Sequence, residues 1–133
     1  MKLSWLDAFE RSKPLKEQPA WNLFRVAAFG EAFGWTLLIG GILIKRYLLH
    51  GNNDPVLIAG QVHGTFFIIY AAVSVVLYPS LGWSRWKAII ATLASVPPYG
   101  SLIFEQWASH TRAQQDLRIL HRTLTYQSLL VAE

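Results

Sequence analysis

Charge is missing from most of this sequence. Residues 26–107 carry seven formal charges, against eight in residues 1–25 and five in residues 108–133. A stretch that long and that poor in charge cannot cover itself with a polar surface. Two apolar runs lie inside it. Residues 26–44 are interrupted by one charge, Glu31, and residues 56–78 by none, with Gln61 and His63 as their strong polar groups. Either run, as a helix rising ~1.5 Å per residue, is long enough for ~30 Å of hydrocarbon. A third run, residues 88–104, is shorter and contains Pro97-Pro98. Helices buried in a soluble protein would need polar partners to shield them, and this chain has few to spare.

The expected fold is therefore all-α, with three transmembrane helices, an N-terminal interfacial helix and a C-terminal amphipathic helix. The expected divisions are an interfacial segment at 1–20, a membrane domain at 21–107 with spans near 25–45, 56–78 and 87–105, and an amphipathic tail at 108–133. Leu3, Leu6 and Phe9 share one face of the first segment, and Ser4 and Asp7 have capping-box spacing. Gly51-Asn52-Asn53-Asp54-Pro55 and Pro79-Ser80-Leu81-Gly82 read as the turns. Three spans put Trp21, Tyr78, Trp83 and Trp86 at one membrane face, and Tyr47, Trp107 and Glu105 at the other. They divide the cations seven to five, Lys2 among the seven, a small bias toward a cytoplasmic N-terminus and an external C-terminus.

Composition excludes several chemistries. Without cysteine there is no disulfide and no thiolate metal site. The net charge of +4 lies in flanks around apolar runs, which points to a membrane surface rather than nucleic acid. HExxH, GxSxG and paired aspartates are absent, so no enzymatic activity is expected.

Polar groups at membrane depth are the candidates for function, because a charge at mid-helix costs at least ~2.5–3.5 kcal/mol to insert. Glu31 sits between Gly30 and Gly34, and His63 between Gly60 and Gly64. Both glycine pairs have the small-xxx-small spacing of close helix contacts, and Gly60 and Gly64 are expected to form one. Glu31 reads as a proton- or cation-binding carboxyl or, with more weight, as a neutral hydrogen-bonded staple. His63 could link helices or carry protons; ligation of haem or chlorophyll is a minor alternative, and no cofactor is expected. Counting residues from the span ends puts Tyr70 at the level of Glu31 and Tyr99 at the level of His63, as their nearest donors. Pro97, Pro98 and Gly100 must break the third helix, either as a packing kink or as the lining of a site.

Phe24-Arg25-Val26 leading to Glu31, then His63-Gly64-x-x-Phe67-x-x-Tyr70, then Pro98-Tyr99-Gly100 resemble the YdzA-like small bacterial integral membrane proteins, a family of unknown function. The resemblance covers residues 22–107 and implies a three-helix protein of the bacterial inner membrane with no assigned activity. Two readings of function follow. The first is a non-enzymatic accessory or scaffold subunit, bound to the bilayer and to other membrane subunits or to itself. The second is a homo-oligomeric transporter or channel built around Glu31 and His63.

Overall fold

The structure, a computed structural model, describes residues 4–50 and 54–132. Lys2, Leu3, the Ser4 side chain and the Gly51-Asn52-Asn53 part of the first turn lie outside the described residues. The rest is all-α: α1 (Ser4–Ser12), α2 (Glu17–Tyr47), α3 (Asp54–Leu77), α4 (Arg85–Leu93) and α5 (Gly100–Val131).

Helices α2 and α3 are long and apolar enough to cross a membrane. Only 11% of the apolar window of α3 is buried, so Ile58, Ile68, Ile69, Val75 and Val76 face outward. A core helix of a soluble protein would do the reverse. The two helices pack antiparallel on glycines of α2. A Cβ on Gly30 would stand 2.9 Å from Phe66 Cδ1, one on Gly34 2.9 Å from His63 Cα, and one on Gly41 2.8 Å from the Pro55 carbonyl oxygen. The expected contact at Gly60 and Gly64 is not there. A Cβ on Gly60 would meet only Leu38, at 3.9 Å, and one on Gly64 nothing within 4 Å. The tight face is the one that recurs at 30, 34 and 41 on α2, which presses on His63, Phe66 and Pro55 and turns the α3 glycines aside.

The third span is not a span. Helix α4 has nine residues, about 14 Å of rise, less than half the hydrocarbon thickness. Pro97 and Pro98 then withhold two amide donors and disfavour helical backbone before them. Tyr99 takes left-handed backbone at φ 61°, and α5 starts at Gly100 running back the way α4 came. The contacts along α5 fix its direction: Ser101 bonds at Ala28 and Glu31, Glu105 pairs with Arg25, and Arg112 reaches Glu17 and Gln18. As α5 advances, its partners on α2 recede. The chain thus forms two long helices and a helical hairpin that enters and leaves on one side. Glu105 and Trp107, expected at the far face, lie on the near one, and residues 108–131 continue α5 rather than forming a separate tail helix.

On that near side an aromatic core gathers the helix ends. Phe24 packs edge-on against Trp83 (ring centroids 4.8 Å apart) and Phe104 (6.2 Å), and lies 5.6 Å from Tyr70. Helix α1 is fastened to the same end. Phe9 stacks near Tyr78, whose hydroxyl donates to Glu10, and Arg85 pairs with Asp7 at 2.9 Å and with Glu10. Asp7, read from sequence as half of a capping box, is used in this pairing. Lys13, at φ 40°, and Pro14 end the helix, and the Leu15 amide donates to Ser80 Oγ at 3.0 Å.

Candidate functional site

The break between α4 and α5 lies beside Trp35 and Thr36, about 15–16 Å from Arg25 along α2 and so near mid-bilayer. Breaking a helix there leaves carbonyls that no water can serve. The Ser95 amide turns to the Thr92 oxygen instead of Ala91, and Tyr70, fully buried, donates its hydroxyl to the freed Ala91 oxygen at 2.9 Å. The Ser95 oxygen accepts from Trp35 Nε1 at 3.2 Å. Tyr99 Oη lies 3.1 Å from Thr36 Oγ1. Gly100 is buried at the closest point, where a Cβ would overlap the Ala94 carbonyl and stand 2.8 Å from Pro97 Cγ. The prolines make the break, and α2 and α3 supply the groups that satisfy it.

Glu31 stands one turn nearer the entry side, fully buried. Its Oε2 lies 2.5 Å from Ser101 Oγ, which is also 3.2 Å from the Ala28 oxygen. Glu31 Oε1 has no hydrogen-bond partner among the described residues. His63 lies against Trp35 with ring centroids 4.4 Å apart, and its Nδ1 is buried without a hydrogen-bond partner among the described residues. The polar positions expected at membrane depth thus cluster around the break, but with other partners than expected. Tyr70 serves Ala91 rather than Glu31, and Tyr99 meets Thr36 rather than His63. Depth counted from span ends ranks groups by level but does not tell which helix face they occupy. A crossing third segment would also carry Ser101 away from Glu31, whereas the reversal brings the two together.

Sequence reading missed Ser101, Trp35 and Thr36. It also missed the pair Arg25 Nε–Glu105 Oε1 at 2.8 Å, to which Ser109 Oγ adds a bond at 2.9 Å. A serine next to the Pro-Pro-x-Gly break was the available signal for Ser101. Nothing local marked Arg25 and Glu105 as partners, because the pairing exists only if α5 turns back.

Residues 21–110 match the family described as a domain of unknown function (DUF3817). The chain belongs to that family. The match takes in α2 from Trp21 onward, α3, α4 and the first third of α5, hence every residue around the break, and leaves out α1, the first turn of α2 and the rest of α5. A Streptomyces coelicolor protein, named only as a membrane protein, is 36% identical over 89 residues, covering 66% of this chain and 10% of its own length. The chain therefore spans about a tenth of that relative. No solved structure matches it.

Proposed function

We propose that this chain is a non-enzymatic accessory or scaffold subunit of a larger complex in the bacterial inner membrane. The observation that carries the reading is the far part of α5. From Ala113 onward every described side chain is exposed, and Leu117, Leu120, Leu124 and Val131 recur at helical spacing among Arg118, His121 and Arg122. An amphipathic helix that projects ~28 Å from a bundle with no cover of its own suits docking to another subunit. The Streptomyces relative supports it: there the matched domain is one-tenth of a long chain, a part attached to a larger body.

The hairpin also bears on orientation. With α5 returning, nine of the described Lys and Arg residues lie on the side of the N-terminus, and Lys45 and Arg46 alone lie opposite. That imbalance favours a cytoplasmic location for both ends. Glu31 acts in this reading as a neutral staple. A protonated carboxyl would donate to Ser101 Oγ, freeing the serine hydrogen for Ala28, whereas one serine hydrogen cannot fully serve both acceptors.

A second reading, an oligomeric transporter or channel, is favoured by one feature: Glu31 Oε1 and His63 Nδ1 are buried beside a broken helix without hydrogen-bond partners among the described residues. Native mass after gentle detergent extraction separates the two. Migration with large heterologous subunits supports the accessory role, and a homo-oligomer showing proton- or cation-dependent flux in liposomes replaces it. An absorption spectrum of the same sample tests for a pigment on His63.

A further inference from the structure

On the near side of the bundle, the start of α2, the turn before α4 and residues 108–119 of α5 enclose a cavity of about 380 Å³. Lys13, Lys87 and Arg112 line it together with Trp21 and Trp83. The two indoles are 4% and 7% exposed, and neither Nε1 has a hydrogen-bond partner among the described residues. Two buried donors without acceptors are unusual in a native protein. Lys87 Nζ is held 5.2 Å from the Trp83 ring and 5.1 Å from that of Trp107, and the Arg112 guanidinium 5.0 Å from the Trp21 ring. Arg112 Nε is 3.0 Å from Glu17 Oε1 without its hydrogen aligned on it. Lys13 makes no ion pair among the described residues, so its charge is uncommitted. Glu17 and Asp116 also border the cavity, leaving three cations against two carboxylates. Ser84, which caps α4 by accepting from the Lys87 amide at 3.3 Å, lines it too, so the positive end of that helix adds to the field.

Depth narrows the ligand. Trp21 lies five residues before the apolar run of α2 begins, about 7 Å outward, where headgroups sit. We propose that this cavity binds a phosphate group, carried by a lipid headgroup or free in solution. Lys13, Lys87 and Arg112 would hold its charge and the tryptophans would wall it.

The test uses the full chain in non-ionic detergent at about 0.15 M salt, where distant surface charges are screened. Tryptophan fluorescence is followed during titration with short-chain phosphatidylglycerol and, separately, inorganic phosphate. Saturable binding of at least one probe is expected, with affinity about tenfold lower in Lys13→Gln and lower still in Lys13→Gln/Arg112→Gln, as loss of charge-assisted contacts implies. Lys45→Gln, on the opposite side, should bind as the parent does. Competition by inorganic phosphate would mark the free anion as a sufficient ligand; saturation by the lipid alone would mark the headgroup. Absence of saturation with both probes overturns the proposal, as does equal weakening by Lys13→Gln and Lys45→Gln. If Arg112→Gln loosens α5, as circular dichroism would show, Lys13→Gln alone decides, since Lys13 is exposed and its side chain makes no ion pair or hydrogen bond among the described residues.

Discussion

Replacing Glu31 distinguishes a neutral staple from an ionised group. Its Oε2 is 2.5 Å from Ser101 Oγ in a fully buried position between α2 and α5. Glu31→Gln keeps the shape, one acceptor and a donor, so the Ser101 link survives. Hydrogen bonds between helices in a bilayer average ~0.6 kcal/mol and reach ~1.7, so an imperfect replacement should cost less than about 1 kcal/mol. Glu31→Ala removes the link, strands Ser101 and leaves a cavity, each worth about 1–3 kcal/mol. The alanine variant should therefore lie at least about 2 kcal/mol below the parent, and Ser101→Ala, which opens almost no space, between the two. Reversible unfolding in mixed micelles, titrated with a denaturing detergent, measures the order directly. The account requires Gln above Ser101→Ala above Glu31→Ala. If Gln is as damaging as Ala, the carboxyl is ionised and held by a cation, and the neutral staple is refuted.

Three further outcomes follow from the packing. Gly34→Leu should destabilise the α2–α3 pair by more than about 2 kcal/mol, because even its Cβ meets His63 backbone at 2.9 Å, whereas Gly64→Leu should unfold at the parent's midpoint in the same titration. Gly100→Ala should shift that midpoint strongly downward, since the added methyl overlaps the Ala94 carbonyl at the break. The docking of α1 should weaken in acid. Hydrogen bonding to Arg85 holds the Glu10 carboxyl below its ordinary value of 4.5, so its contribution is complete above that pH and is lost as pH falls through the lower folded value; protease nicking near Pro14 should rise below about pH 4 in the parent and depend less on pH in Glu10→Gln, where Asp7 alone still pairs with Arg85.

The long helices α2 and α3 were legible because a bilayer demands length and apolarity, which sequence displays directly. The break at Pro97-Pro98 was legible too, since proline chemistry is local. What the break does was not. Hydropathy records that residues 88–104 are apolar but has no sign for direction, so a helix that crosses and one that reverses look alike. The reversal shows only in pairs far apart in sequence, Arg25 with Glu105 and Ala28 with Ser101. The glycines show a similar limit. Spacing marked both Gly30-x-x-x-Gly34 and Gly60-x-x-x-Gly64, and only the placement of His63 and Phe66 decides which pair is pressed. At the site, residue type and depth point to Glu31, His63, Tyr70 and Tyr99, which the structure places around the break, while their partners depend on the reversal of the third segment.

The reversal itself is best tested by topology. The sequence has no cysteine, so a single introduced thiol reports one position. Arg11→Cys, Ser128→Cys and, as the opposite-side reference, Tyr47→Cys should each be probed in intact cells with a membrane-impermeant maleimide, before and after permeabilisation. The hairpin predicts that positions 11 and 128 behave alike and opposite to position 47. Labelling of 128 together with 47, and apart from 11, would mean that the third segment crosses the membrane and would contradict the fold described above.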